Sequence, residues 1–102
     1  MLTIDEIRSK IRPICQKYGI KTAYLFGSYA RNDASKASDV DIRIEKGNNE
    51  KLRGLIQVSG MKIELEDALK KKVDLITILP EDESYSIFRK NVLAEEVIVY
   101  EA

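Results

Sequence analysis

Four short β-prone segments, separated by helix-like stretches, constrain the fold more than any other feature of this sequence. The segments are Thr22–Phe26, Asp39–Ile44, Val73–Ile78 and Val97–Tyr100. They are rich in β-branched and aromatic residues, and helical patterns precede and separate them. We therefore predict the order α–β–α–β–α–β–α–β in one domain over residues 1–102. The predicted class is α/β (α+β), a four-stranded mixed sheet with helices packed against it.

Capping and stop signals place the helices. Thr3 and Glu6 form a capping box, and Gly19 supplies the stop of the first helix. Pro13 is expected to kink this helix or split it, because proline removes one backbone hydrogen bond. Of the other helices, a short one is predicted to be capped by Ser28, a long one to run over Leu52–Lys71, and one to run from Ser84 to Ala94.

The long helix carries two apolar faces. The predicted core face contains Leu55, Val58, Met61, Leu65, Ala68 and Leu69. A second face with Leu52, Ile56 and Ile63 exceeds what one core needs, so we expect it to be an exposed interface. The alternative is that residues 51–60 are not regular helix, since Gly54 and Gly60 weaken it, and that these side chains fold under the loop.

Composition excludes several classes of function. The chain has no His and a single Cys, so an internal disulfide framework and histidine chemistry are excluded. Cys15 lies beside the Ile11–Ile14 stripe and is interpreted as a buried filler. Seventeen basic residues balance seventeen acidic ones, which argues against direct nucleic-acid binding. With no signal peptide and no long apolar run, we expect a cytoplasmic protein with no membrane association.

Three carboxylates are candidates for metal binding. Asp39 and Asp41 alternate with Val40, Ile42 and Ile44, so both acids are expected on the same face of a strand. Two carboxylates held close together repel each other, and a cation relieves the repulsion. Asp74 lies in another strand between apolar residues, although Asp is depleted in strands. Oxygen ligands without His or Cys favour Mg²⁺. We expect the three acids to converge within reach of one metal.

The turn after the first strand is a candidate phosphate site. Gly27 and Ser28 follow a strand and open a helix, where free backbone N–H groups attract anions. Alone, a Gly-Ser turn or an Asp-x-Asp pair is usually an ordinary structural feature. Together and in this order, they indicate a nucleoside triphosphate bound beside Mg²⁺.

The sequence resembles the minimal nucleotidyltransferase (MNT) family of the DNA polymerase β-like superfamily. The resemblance covers nearly the whole chain and rests on three segments, Leu25–Arg31, Ser38–Ile42 and Val73–Leu75. It implies the polymerase-β-like nucleotidyltransferase fold. It also implies that Asp39, Asp41 and Asp74 are the catalytic, metal-holding carboxylates, and that Gly27, Ser28, Arg31 and Ser38 bind the nucleotide.

Two residues of the motif are open to more than one interpretation. Many relatives have Gly where this chain has Asn32, and we expect the loop to survive because Asn tolerates positive φ. Arg31 either contacts phosphate or forms an ion pair with Asp33 or Asp39.

The same resemblance implies a protein acceptor. Larger members add an acceptor-binding domain that these 102 residues lack, so a partner is expected to supply the acceptor. In the family, the partner is often a HEPN-domain ribonuclease toxin, and the MNT protein is an antitoxin that transfers AMP from ATP to a tyrosine hydroxyl of the toxin. Assembly is then expected to be a hetero-oligomer, with a homodimer possible when the chain is alone. Alternative functions are a binding antitoxin that neutralises by contact, and transfer to a small-molecule acceptor.

The aromatic residues have simpler interpretations. Tyr24, Phe26 and Phe88 are predicted to belong to the core rather than to a platform for a base. Tyr29 and Tyr85 could be either.

Overall fold

The computed structural model describes residues 1–47, 52, 54–77 and 82–102. Its elements follow the predicted alternation, with a short 3₁₀ turn at Glu83–Tyr85 before the last helix. They are α1 (Ile4–Tyr18), β1 (Thr22–Phe26), α2 (Gly27–Arg31), β2 (Val40–Glu45), α3 (Leu55–Leu69), β3 (Val73–Ile76), α4 (Ser86–Glu95) and β4 (Val97–Glu101).

The four strands form one mixed sheet in the order β3-β2-β1-β4. β1 is antiparallel to both β2 and β4, whereas β2 and β3 are parallel. The parallel pair is possible because α3 carries the chain back across the sheet, as parallel strands require. The predicted mixed sheet is therefore confirmed.

One face of the sheet carries the core. Along β2, Val40, Ile42 and Ile44 are fully buried, while Asp41, Arg43 and Glu45 between them are only half-buried. α1 and α3 pack against each other and against the sheet. The buried aliphatic residues of this layer include Ile7, Ile11, Ala23, Leu25, Met61, Leu65, Leu69 and Val73. The opposite face carries the half-buried polar side chains of β2.

Helix α1 has the predicted ends and an unexpected middle. Thr3 and Glu6 form both bonds of the capping box, and Gly19 ends the helix at φ 64°. Pro13 lies inside an uninterrupted helix, so the prediction of a split is wrong. The physical reason is that Pro13 is exposed, whereas Ile11 and Cys15 on either side of it are buried and hold both halves in the core.

Helix α3 begins later than predicted, and this changes its faces. Leu55 is its first residue and is 82% exposed, whereas Leu52 lies before the helix and is 1% exposed. Both predictions, Leu55 in the core and Leu52 at an interface, are therefore wrong. At 100° per residue, Leu55 lies about 80° from the centre of the face formed by Met61, Leu65 and Leu69. Ile56 and Ile63 are exposed, as predicted.

Two other helix starts differ from the prediction. The residue preceding α2 is Phe26, so Ser28 lies inside the helix and does not cap it. Asp82, not Ser84, provides the cap near α4, by accepting a bond from the Ser84 amide ahead of the 3₁₀ turn. Residues 78–81, which include the end of the predicted third strand, lie outside the described residues, as do 48–51 and 53. In the part of the chain that the structure describes, no helix has the length and apolarity needed to cross a membrane.

Candidate active site

The strand register brings two of the predicted acids side by side. Asp41 of β2 pairs with Phe26 of β1 on one side and with Asp74 of β3 on the other. Directly paired positions in a sheet project to the same face, which here is the face opposite the core. Asp74 is on the edge strand and exposed, whereas Asp41 is half-buried. The predicted shared facing of these two carboxylates is confirmed.

Asp39 takes a different place. It lies one residue before β2 begins and is exposed. Within residues 1–47, 52, 54–77 and 82–102, no three His, Cys or acidic side chains are gathered into a group that could hold a metal. The expected convergence of all three acids is therefore met by Asp41 and Asp74, and Asp39 stands apart. Asp39 precedes the first residue of β2, so the pairing of the strands does not fix its position as it fixes the positions of Asp41 and Asp74. Nearby carboxylates also repel each other.

Electrostatics still links the three acids. The pKa of Asp41 is raised from 3.8 to about 6, first by burial, then by its contact with Asp74 and by the negative charges of Asp74 and Asp39. The positive charge of Arg31 opposes this rise. A half-buried carboxylate between two other acids is a place where a divalent cation would lower the free energy.

The carboxylate of Asp41 leaves no room for a side chain at Gly27. Gly27 has φ +73°, and a Cβ built on it would overlap Oδ2 of Asp41 and lie 3.1 Å from its Cγ. Any other residue would therefore be strained by its backbone angle and would also displace Asp41. The glycine opens α2, whose first-turn N–H groups have no carbonyl partner within the helix. Asn32 ends α2 at φ 63°, so the predicted tolerance of positive φ is confirmed.

Arg31 joins the loop to helix α4. Its Nε donates to Asp33 Oδ2 at 3.1 Å, and its Nη1 donates to Glu95 Oε2 at 3.0 Å. The predicted ion pair with Asp33 is confirmed, the alternative pair with Asp39 is not formed, and the pair with Glu95 was not foreseen. Arg31 also borders the cleft beside Asp41.

Ser38 is held in a turn before Asp39. Its Oγ accepts a bond from the Ser35 amide at 2.9 Å, and its own amide donates to the Ser35 carbonyl at 3.1 Å. It does not line the cleft. The structure thus gives Ser38 a place in the turn that precedes Asp39, and its contact with a nucleotide stays a prediction.

A cleft of about 370 Å³ opens beside the acids. It is lined by Phe26, Gly27, Ser28, Arg31, Asp41, Phe88, Asn91, Val92 and Glu95. Sequence reasoning missed the four α4 residues in this list. Their spacing of i, i+3, i+4 and i+7 is typical of residues on one helix face, and it is the sequence signal that groups them together.

Phe88 of α4 lies in a different environment from the one predicted. It was predicted to be core, yet it is 39% exposed on the cleft wall. Its ring makes a T-shaped contact with Phe26, with the centroids 6.4 Å apart. α4 packs against α2 and the 3₁₀ turn rather than over the sheet centre, and this leaves the side of Phe88 open.

The other aromatic residues and Cys15 differ in how far they are buried. Phe26 is buried as predicted, and Tyr24 is half-buried under the guanidinium of Arg43. Tyr29 is 4% exposed, and its hydroxyl has no hydrogen-bond partner in the described part of the chain. Tyr85 is half-exposed. Cys15 is buried, and burial raises the pKa of its thiol to about 12, so it is no nucleophile at neutral pH.

Sequence comparisons point to one family. The model of the family described as polymerase beta nucleotidyltransferase matches residues 9–102. A Methanocaldococcus jannaschii protein, provisionally named protein adenylyltransferase MJ0435, is 40% identical over 98 residues, 96% of this chain and 99% of that protein. The protein adenylyltransferase MntA of Thermococcus cleftensis is 32% identical over 103 residues, 97% of this chain and 98% of that protein.

Solved structures share the fold at lower identity. A toxin–antitoxin crystal structure with AMP-PNP has a TM-score of 0.72 and 22% identity, covering 93% of this chain and 73% of that chain. The complex of a tri-AMPylated Shewanella oneidensis HEPN toxin with its MNT antitoxin has a TM-score of 0.65 and 19% identity, covering 94% of this chain and 71% of the other. At these identities, the likeness concerns the fold.

Proposed function

Because the chain belongs to the polymerase beta nucleotidyltransferase family, we propose that it transfers AMP from ATP to a hydroxyl group of a protein partner. The observation that carries the proposal is that Asp41, which pairs with Asp74 in the sheet, lines a cleft together with Gly27 and Ser28. In this reaction an acceptor oxygen forms a bond to the α-phosphorus, and the bond from that phosphorus to pyrophosphate breaks.

The residues present fit Mg²⁺. The ion usually takes one or two protein carboxylates, with water and substrate phosphates completing its shell, and Asp41 and Asp74 offer such a pair. Burial and then the neighbouring acids raise the pKa of Asp41, and binding of a cation would offset the part due to those negative charges. We assign Asp41 and Asp74 as metal ligands, and the ligand role of Asp39 stays a prediction from the family resemblance. When bound, Mg²⁺ supplies charge stabilisation at the phosphoryl oxygens.

The chain's own side chains have separate roles. Ser28 and the backbone N–H groups at the start of α2 bind the triphosphate, because they are donors without partners within the helix. The positive charge of Arg31 on the cleft wall orients the anion. Asp74 accepts the proton of the acceptor hydroxyl. It is the more exposed acid and stands on an edge strand, where a bulky protein acceptor has access.

We further propose that the acceptor is a tyrosine of a HEPN-domain toxin, which makes this chain an antitoxin. Two findings support this proposal. Full-length relatives carry the name protein adenylyltransferase, and a protein of the same fold forms a complex with an AMPylated HEPN toxin. If the chain neutralised its toxin by contact alone, it would not need a half-buried Asp41 held against Asp74, an arrangement that raises the pKa of Asp41.

The test is transfer of label from α-labelled ATP to a co-purified HEPN-domain protein in the presence of Mg²⁺. The double variant Asp39→Asn with Asp41→Asn is expected to lose at least a hundredfold in rate, because charge stabilisation at phosphorus is lost. The matched control is Asp5→Asn with Asp67→Asn, which removes two exposed acids far from the cleft in sequence and is expected to label at the normal rate. Undiminished labelling by the Asp39/Asp41 variant would refute the assignment. A toxin that is neutralised without being labelled would favour the contact mechanism.

A further inference from the structure

The cleft has a second half that the proposed chemistry does not use. Its acidic end holds Asp41 and its phosphate end holds Gly27 and Ser28, but its far wall is one face of α4. That wall carries Phe88, Asn91, Val92 and Glu95. About 370 Å³ is within the usual range of small-ligand sites. A nucleotide whose phosphates lie at α2 must place its base somewhere, and this wall is the surface next to it.

Phe88 offers an aromatic surface on this wall. Its T-shaped contact with Phe26 occupies at most one of its two ring faces, and 39% of the residue remains exposed. Phe26 is itself 7% exposed and supported by β1, so Phe88 is buttressed rather than free to swing. A fixed, half-exposed ring beside a phosphate site is a platform on which a nucleobase can stack.

Asn91 adds a polar group one turn further along. It is exposed on the cleft wall, and its side chain makes no hydrogen bond with any part of the chain that the structure describes. A carboxamide offers one donor and one acceptor side by side. This pair matches N7 and the N6 amino group of adenine, whereas guanine presents two acceptors at the same edge.

The other polar residue of the wall, Glu95, already has a hydrogen-bond partner. Glu95 accepts the bond from Arg31, which ties α4 to α2 and fixes the distance between the wall and the phosphate end. Val92 is 3% exposed and forms an apolar floor between these residues. Among the four wall residues, Asn91 is therefore the one whose hydrogen-bonding groups are available to a ligand.

We propose that this face of α4 is the nucleobase subsite, in which Phe88 stacks on the base and Asn91 selects adenine. The inference rests on the proposed function, since it takes the ligand to be a nucleoside triphosphate.

The test is equilibrium binding, measured by calorimetry with Mg²⁺, of three probes: the α,β-methylene analogue of ATP, the same analogue of GTP, and inorganic tripolyphosphate. Phe88→Ala is expected to weaken binding of the ATP analogue about tenfold and to leave tripolyphosphate binding unchanged, with Phe88→Tyr restoring it. Asn91→Leu is expected to reduce the preference for the ATP analogue over the GTP analogue about tenfold. Leu93→Ala and Lys90→Leu are the matched controls, because both residues lie on α4 outside the cleft.

The outcomes separate this inference from the function on which it rests. If the native chain binds the ATP analogue and tripolyphosphate, but Phe88→Ala and Asn91→Leu bind all probes as the native chain does, the base subsite is overturned and the phosphate site stands. If the native chain binds none of the probes, the proposed function fails and the subsite fails with it. Circular dichroism of each variant establishes that a loss of binding is not a loss of folding.

Discussion

Gly27 shows how one residue couples backbone conformation to the chemistry of the site. Its φ of +73° is costly for any residue with a side chain, and a Cβ there would overlap the Asp41 carboxylate. We predict that Gly27→Ala lowers the free energy of unfolding by about 1–3 kcal/mol and abolishes transfer. The measurements are urea unfolding and labelling of the partner.

The chain offers a matched control for this substitution. Gly47 has φ +65°, yet a Cβ there would only touch the Lys21 side chain at 3.4 Å. Gly47→Ala therefore carries the same kind of backbone strain without disturbing an acid. It is expected to lose stability but to keep transfer activity. Equal loss of activity in both variants would show that strain, rather than the displacement of Asp41, is responsible.

The raised pKa of Asp41 predicts that the ionised carboxylate lowers the free energy of unfolding, by an amount that depends on pH. The folded chain holds this proton up to about pH 6, whereas the unfolded chain releases it near 3.8. The stabilisation that the folded chain gains by holding this proton is therefore complete below about pH 4, and it is lost as the pH rises through about 6. At neutral pH the cost is about 1–2 kcal/mol, because solvent partly screens a half-buried carboxylate.

The variant Asp41→Asn removes this titration. We predict that it is more stable than the native chain at pH 7.5 without metal, and that the difference shrinks towards pH 4. Mg²⁺ is expected to stabilise the native chain and not the variant. Urea unfolding at several pH values, with Asp67→Asn as the exposed control, measures both effects. A variant less stable than the native chain at pH 7.5 would contradict the assignment of the cost to Asp41.

At the scale of elements, the sequence predicted what periodicity and caps determine. The alternation in β2 correctly placed Val40 and Ile42 in the core and Asp41 on the opposite face. The capping box and Gly19 gave both ends of α1. These signals are local, because each depends on residues within one or two turns of the chain.

What the sequence could not supply depends on tertiary contacts. Whether Pro13 breaks α1 depends on the burial of its neighbours, and whether Leu55 is core depends on where α3 begins. The wall of the cleft was missed for the same reason. Phe88 is apolar and was assigned to the core, but the side on which α4 packs decides whether such a ring is covered.

At the scale of the whole molecule, the exposed face of α3 is a surface that a single copy of the chain leaves open. Ile56 is 83% exposed and Ile63 is 58% exposed, and they lie about 20° apart around the helix axis, with Leu55 nearby. This face points away from Met61 and Leu65, which anchor the helix in the core. Neighbouring exposed aliphatic residues of this kind usually mark an interface.

We therefore predict that Ile56→Glu with Ile63→Glu leaves the isolated fold intact but weakens assembly with the HEPN-domain partner by at least tenfold. The fold should tolerate the change because both side chains are already in solvent, whereas a charge buried without a partner in an interface is costly. Light scattering of the chain with and without the partner measures assembly. The control is Leu93→Glu with Ile98→Glu, which places the same charges on two exposed aliphatic residues of α4 and β4. If the control weakens assembly and the α3 variant does not, the partner binds on the α4 side of the molecule, next to the cleft, and α3 serves another contact.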